Sequence, residues 1–127
     1  MLKRKEKLDT YDVVSILKAF TNADSLREGR LIHAYIIISH GLEQNLYLEN
    51  ALIYMYMKCG ALVEAERLFV ELPQRDVISW NTLIAGYAQS GDEQNAFSSL
   101  DKMTVDMVCP NLVTFTILLN VCNHVGL

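Results

Sequence analysis

The sequence predicts an all-α fold, an α-solenoid of helix-turn-helix repeats, from an internal repeat and from the spacing of its apolar residues. A shift of 31 residues places the segment that begins at Asn50 on the segment that begins at Asn81. Both segments continue with Leu-Ile, carry a Tyr at the seventh position and close on a Gly. Apolar residues recur three and four positions apart, which is typical of one face of an α-helix. Two short helices cannot bury such a face alone, so successive units must stack.

The repeat divides the chain into units of unequal length. A second shift, of 102 residues, places the apolar residues of "VSILKAF" (14–20) on those of "TILLNVC" (116–122). We therefore predict units at residues 10–45, 46–76 and 77–111, with 36, 31 and 35 residues. Residues 112–127 are expected to be the first helix of a truncated fourth unit, and residues 1–9 the tail of a preceding one.

The first unit is predicted to place its second helix at about Ser25 to Ser39, with Gly41 ending it. The inward-facing residues of that helix are expected to be Ile32, Tyr35 and Ile36, which recur at helical spacing.

The second unit shows both helices clearly. Leu52, Tyr56 and Cys59 mark one face of the first helix, and Gly60 fits the left-handed position that often follows a helix. The second helix is marked by apolar residues at i, i+3, i+4 and i+7, and Pro73 is expected to stop it. These apolar residues are Ala65, Leu68, Phe69 and Leu72.

The third unit opens with "VISW" (77–80), which β-propensity alone would assign to a strand. The repeat register favours a helix instead, with Ser79 as its cap and Trp80 as the start of its buried face. Asp92 is the predicted N-cap of the second helix, whose face carries Ala96 and Met103.

Composition limits the class of protein. A length of 127 residues predicts one domain, and 51% hydrophobic residues suffice for a core. The run of five apolar residues at 34–38 is far shorter than the ~20 residues of a membrane span. The start of the chain is basic and then acidic without an apolar segment, so we expect no targeting segment. The net charge of −4 gives no expectation of nucleic-acid binding.

Catalytic and metal-binding patterns are not found in the sequence. Cys59, Cys109 and Cys122 lack the spacing of a zinc or redox motif and predict a reducing compartment. His40 and His124 have no partner at metal-ligand spacing, and His33 is expected to be a packing and hydrogen-bonding residue. We expect no enzymatic activity, no cofactor and no metal.

The stretch "NALIYMYMKCGALVEAERLFVELPQRDVISWNTLIAGYAQSG" (50–91) resembles the pentatricopeptide repeat family, and specifically its plant PLS class. That class alternates P-type, long and short repeats, and the unequal units here are similar to a long, a short and a P-type repeat followed by the start of another long one. "EGRLIHAYI" (28–36) is similar to the second helix of the long repeat. The resemblance covers nearly the whole chain and implies a right-handed α-solenoid.

The resemblance also implies a function, which is sequence-specific binding of single-stranded RNA with one base for each repeat. In the family the readers are the fifth and the last residue of a repeat. Carried over, these are Asn50 with Asp76, Asn81 with Asn111, Val14 with Asn45, and Thr116 in the truncated unit. The family's code implies uracil for the first of these pairs and cytosine, less strictly, for the second. Val14 departs from the usual polar readers.

Further roles are implied for the second residue of each unit, which in the family sandwiches the base. These residues are Tyr11, Tyr47, Ile78 and Val113. Lys58 matches a position that faces the phosphates, and Gln89 holds that position in the next unit. The chemistry agrees, because an amide offers donors and an acceptor to the edge of a pyrimidine.

Other interpretations remain open. Asn50 and Asn81 could be ordinary helix-start residues, and Asp76 and Asn111 turn residues. The chain could instead be a protein-binding helical-repeat module, or a relic of a truncated gene. His-x-Glu and Cys-x-x-Cys motifs, which the deaminase domain of many PLS proteins needs, are absent from the sequence.

The expected partners follow from these readings. They are single-stranded RNA with uracil or cytosine in the central repeats and, by resemblance, organellar editing accessory proteins at the long repeats. No membrane contact is expected, and the family implies a mitochondrial or chloroplast location. Phe115, Leu118 and Leu119 are expected to leave the last helix apolar and exposed, which predicts self-association.

Overall fold

A computed structural model of the chain describes residues 9–22, 25–40 and 45–125. Every regular element in these ranges is an α-helix, so the predicted fold class is confirmed, and "VISW" is helical rather than a strand. Gly41 and residues 1–8 lie outside the described residues. The helices are α1 (Thr10–Asn22), α2 (Leu26–His40), α3 (Leu46–Lys58), α4 (Leu62–Glu71), α5 (Val77–Gln89), α6 (Glu93–Val105) and α7 (Leu112–Val125).

The helices form two layers. In the first layer α1, α3, α5 and α7 pack side by side in chain order, each against the next. In the second layer α2, α4 and α6 each pack against the first-layer helices that precede and follow them in the chain. This is the stacked arrangement expected of a helical-repeat solenoid, in which each unit contacts its neighbours.

The first-layer helices all begin in the same way. Four residues at the N-cap position accept a hydrogen bond from the backbone N–H three residues later, which satisfies a donor that the helix leaves unpaired. The bonds run from Asp12 to Asp9 (2.8 Å), from Leu48 to Asn45 (3.1 Å), from Ser79 to Asp76 (2.9 Å) and from Thr114 to Asn111 (3.1 Å). Asp76, Asn111 and their equivalents are therefore capping residues.

The prediction that Ser79 caps α5 was wrong. The cap is Asp76, and Ser79 is the third helical residue, whose hydroxyl completes a capping box with the Asp76 backbone. The hydroxyl and the backbone N–H of Ser79 both donate to the Asp76 carboxylate. The capping box is therefore formed by Asp76 and Ser79 together, and not by Ser79 alone.

Other predicted helix ends are confirmed. Gly60 and Gly91 follow α3 and α5 with positive φ angles of 83° and 81°, a backbone conformation that favours glycine. The side chain of Asp92 accepts from the Asn95 N–H and caps α6.

The core lies between the two layers and between adjacent first-layer helices. Its most deeply buried apolar residues include Leu17, Ile53 and Ile84 of the first layer and Ala65 and Met103 of the second. In α2, Ile32 and Ile36 are buried as predicted, and Tyr35 is half-buried against the same core. The prediction that Leu118 is exposed was wrong, because only 4% of it is accessible, whereas Phe115 and Leu119 are exposed.

Hydrogen bonds also join the layers. His33 Nδ1 lies 2.6 Å from the Tyr56 hydroxyl, which confirms the predicted packing role of His33. Burial lowers the pKa of His33 below its ordinary value. The Tyr87 hydroxyl donates to the Glu66 carboxylate, and burial together with this bond raises the pKa of Tyr87.

Candidate nucleic-acid interface

An apolar row runs along the first layer. Tyr11, Tyr47, Ile78 and Val113 are the second residues of the four first-layer helices, and their exposed fractions are 74%, 51%, 59% and 53%. The helix register forces this exposure, because the second residue lies outside the stripe that packs into the core. The rings of Tyr11 and Tyr47 lie 6.5 Å apart between centroids and are tilted by 56°. A row of exposed apolar side chains at one register position is a surface on which planar groups can stack.

A groove with a volume of about 230 Å³ lies between α1, α3 and α5. Its lining brings together four predicted site residues, Val14, Tyr47, Asn50 and Ile78, with the additional residues Lys18 and Thr82. The groove therefore combines apolar walls with one amide, one ammonium group and the hydroxyl-bearing residues Thr21, Tyr54 and Thr82. We call this cavity the α1–α3–α5 groove.

Asn50 supplies the amide in the wall of this groove. It is the fifth residue of α3 and only 7% exposed, so the interpretation of Asn50 as a helix-start cap was wrong. Its Oδ1 atom is buried and has no hydrogen-bond partner within the described part of the chain. A buried amide oxygen without a partner costs roughly 1–3 kcal/mol, so it calls for an explanation.

Asp76 does not form a hydrogen bond with Asn50 in the ranges that the structure describes. Its Oδ1 atom instead accepts from the backbone N–H and the hydroxyl of Ser79, both at 2.9 Å. Asp76 as a whole is half-exposed, and only its Oδ1 atom accepts a hydrogen bond within the described residues.

Asn81 occupies the same position in α5 and is 8% exposed, so it is not a cap either. Unlike Asn50, it is held at both ends of its amide. Its Nδ2 donates to Asn111 Oδ1 at 3.1 Å, and its Oδ1 accepts from the Thr114 hydroxyl at 2.5 Å. The structure therefore brings the predicted pair Asn81 and Asn111 together, and adds Thr114 to it.

The remaining predicted readers are placed differently. Val14 is 3% exposed and belongs to the core, so it offers only an apolar edge to the α1–α3–α5 groove. Asn45 caps α3 and donates from Nδ2 to Thr10 Oγ1 at 3.2 Å. Thr116 is exposed on α7, and its hydroxyl donates to the Leu112 carbonyl at 2.8 Å.

The positive charge near these residues is sparse. Lys58 is the exposed last residue of α3, and Gln89 has the equivalent place in α5. Lys18, which sequence reasoning missed, is exposed and lines the α1–α3–α5 groove. Its position on α1, four residues after Val14, was the available signal.

Within residues 9–22, 25–40 and 45–125, no three His, Cys, Asp or Glu side chains are grouped so that they could hold a metal ion. No helix in that part of the chain has the length and apolarity that crossing a membrane requires.

Comparison with known proteins identifies the family. Residues 75–124 match the family described as PPR repeat family, and residues 50–77 match the family described as PPR repeat. A mitochondrial pentatricopeptide repeat-containing protein of Arabidopsis thaliana is 39% identical over the whole chain. The chain belongs to the pentatricopeptide repeat family.

Other pentatricopeptide repeat relatives agree. A second Arabidopsis thaliana protein of the family is 38% identical over 99% of this chain, and a chloroplastic one is 36% identical over 98%. The chain spans only 16%, 22% and 15% of the length of these three relatives. Pentatricopeptide repeat proteins are in general organellar RNA-binding adaptors without enzymatic activity.

Proposed function

We propose that this chain binds single-stranded RNA and reads one base with each repeat, as a segment of an organellar pentatricopeptide protein. The repeats of the proposal are residues 10–45, 46–76 and 77–111, of long, short and P type in the PLS class, followed by the start of a long repeat at 112–127. The proposed location is a mitochondrion or chloroplast, since relatives carry those designations.

One observation carries the proposal: the Asn50 amide lies in the wall of a groove that Tyr47 and Ile78 also line. A flat base inserted between these two exposed side chains would stack on both, at about 1–3 kcal/mol per base. The edge of that base would then meet the Asn50 amide, which no hydrogen bond holds in the described part of the protein. Stacking supplies affinity, and the amide supplies selectivity.

Base preference follows from the groups at each pair. The second oxygen of Asp76 is an acceptor, which suits the N3–H of uracil, and the Asn50 amide can pair with a uracil carbonyl. Asn81 and Asn111 present amide N–H donors, which suit N3 and O2 of cytosine. The proposed preference of the central repeats is therefore 5′-U-C-3′, with U-U as the weaker alternative.

Charge limits the affinity. Lys18 and Lys58 are the proposed phosphate contacts, and the net charge is −4, so backbone neutralisation is weak. About three stacked bases must offset an association cost of at least roughly 4 kcal/mol. We expect weak binding by this chain alone and tight binding only by a longer array, such as an RNA-processing or C-to-U editing specificity factor.

The test compares the parent chain with Asn50→Val by NMR titration with the oligoribonucleotide AAUCAA. Loss of the amide should weaken binding of this oligonucleotide while binding of AAACAA, which lacks the uracil, stays unchanged. Val63→Ala is the matched control. Val63 is exposed on the second-layer helix α4 and does not line the groove. Equal affinity of parent and Asn50→Val for both oligonucleotides would refute base reading.

A second candidate function is protein binding through the second layer. Leu31, Ile37 and Ile38 of α2 are 65%, 59% and 83% exposed, and exposed apolar clusters often mark protein contacts. Organellar editing accessory proteins are the proposed partners of this long repeat. Self-association through Phe115 and Leu119 of α7 is a related proposal. Asp substitutions at Leu31 and Ile38 should abolish protein binding and leave RNA affinity intact.

A further inference from the structure

The two reading asparagines differ in how the protein holds their amides. Both ends of the Asn81 amide are engaged, Nδ2 with Asn111 and Oδ1 with Thr114. The Asn50 amide has no hydrogen-bond partner in the described ranges, and its Oδ1 is buried. The terminal torsion of an asparagine has two broad minima related by exchange of oxygen and nitrogen. Asn81 is therefore held in one of these orientations, whereas Asn50 is not.

The Thr114 hydroxyl is itself oriented. It accepts the backbone N–H of Asn111 at 3.1 Å, so its single proton is directed elsewhere. Two acceptors are in reach, Asn81 Oδ1 at 2.5 Å and Asn111 Oδ1 at 3.1 Å. The shorter contact takes the proton, because hydrogen-bond strength falls with distance. Thr114 is fully buried, so water cannot replace this bond.

Ser79 is the counterpart of Thr114 in the preceding unit, and its proton goes to a different place. Ser79 is the third residue of α5 as Thr114 is the third of α7, and both are fully buried. The Ser79 hydroxyl donates to Asp76 Oδ1 at 2.9 Å. A carboxylate is a stronger acceptor than an amide carbonyl, so an aspartate cap retains the hydroxyl proton. An asparagine cap, Asn111, leaves that proton for the reading asparagine.

We propose that Thr114 is a specificity-determining residue of the repeat at 77–111, an inference that rests on the proposed function. Its hydroxyl holds the Asn81 oxygen toward the buried side and so directs an amide N–H toward the base. That N–H complements the N3 acceptor of cytosine and opposes the N3–H of uracil. Thr114 therefore favours cytosine over uracil without touching the base.

The test is Thr114→Val, which removes the hydroxyl at nearly constant shape, in the 127-residue chain. AAUCAA and AAUUAA differ only at the base read by the repeat at 77–111. NMR titrations with both give the Kd for AAUUAA divided by the Kd for AAUCAA, which is the uracil-to-cytosine ratio. Releasing one hydrogen bond should lower this ratio about three- to tenfold. Thr114→Ser retains the hydroxyl and should retain the ratio. Ser79→Ala should leave selectivity at the repeat at 46–76 unchanged, since Asn50 is not held by Ser79.

A measurement without RNA distinguishes loss of the Thr114 hydrogen bond from a folding defect. The side-chain amide signals of Asn81 should shift in Thr114→Val and stay in place in Thr114→Ser, and Thr114→Ala provides a second way to remove the hydroxyl. An unchanged ratio in a folded Thr114→Val chain that binds RNA would overturn this inference alone. Absence of RNA binding by the parent chain would overturn the proposed function and this inference with it.

Discussion

A Cβ atom placed on Gly86 of α5 would lie 2.8 Å from the Cβ of Met57 on α3. This is closer than real Cβ atoms approach, so a glycine is needed where these two first-layer helices come together. The contact fixes how closely α3 and α5 lie. The same two helices carry Asn50 and Asn81, the two central residues of the proposed base-reading pairs.

Gly86→Ala should therefore destabilise the chain, by about 1–3 kcal/mol, because backbone or core must shift to admit the methyl group. Gly29→Ala is the matched control, since its closest neighbours are the sulfur and terminal methyl of Met55, the flexible end of a side chain. Both substitutions gain helix propensity, up to about 1 kcal/mol. Denaturant unfolding should show a net loss in the free energy of unfolding for Gly86→Ala only. An equal free energy of unfolding for the two variants would contradict the close approach of α5 to α3 at Gly86.

The capping role of Asp76 can be tested separately from its proposed base-reading role. Asp76→Asn keeps a capping oxygen for the Ser79 N–H, so stability should change little, whereas Asp76→Ala should lose about 0.5–2 kcal/mol. Asp76→Asn should nevertheless weaken the preference for uracil, because an acceptor is replaced by a donor. Thermal melts and oligonucleotide titrations give the two readouts. A large drop in melting temperature for Asp76→Asn would show that the carboxylate charge, not the cap geometry, matters.

Met107 is the one non-glycine residue with positive φ, 63°, in the described ranges. It follows α6 as Gly60 and Gly91 follow α3 and α5, and it is 92% exposed. Met107→Gly should stabilise the chain by about 1 kcal/mol, because an L side chain is disfavoured in this conformation. Val105→Gly, two residues earlier within α6, should instead lower the free energy of unfolding. A loss of stability in Met107→Gly would mean that its side chain makes stabilising contacts.

His33 should make stability depend on pH. Burial lowers its pKa in the folded state, so the unfolded chain binds the proton first as pH falls. The contribution of neutral His33 to the free energy of unfolding is then fully present above the unfolded pKa of about 6.5. This contribution is lost as the pH falls from that value toward the folded pKa. His33→Gln should flatten this part of the profile between pH 7.5 and 5. An identical pH profile for parent and variant would exclude His33 as the cause.

Much of the fold is visible in the sequence, because caps, glycines and apolar spacing agree at each helix. Gly60 and Asp92 are local signals, and local signals suffice for helix ends. Leu118 was misplaced because α7 is apolar on most sides, so periodicity did not select its buried face.

The candidate site was less accessible to sequence reasoning. The repeat register located Asn81 and Asn111, but it did not reveal that Thr114 joins them. Hydroxyl residues within apolar helices are common, and only the packing of α5 against α7 brings this one to Asn81. The same holds for Lys18, which lines the α1–α3–α5 groove together with Tyr47 and Asn50 of a different helix.

The base-reading role of Asn50 is tested most directly by its own side-chain amide signals in a ¹⁵N-labelled chain. Titration with AAUCAA should shift these signals saturably, together with the backbone amide signal of Tyr47, and an oligonucleotide with an abasic site in place of the uracil should not. Shifts confined to other residues, or equal shifts with the abasic oligonucleotide, would contradict a base bound in the α1–α3–α5 groove.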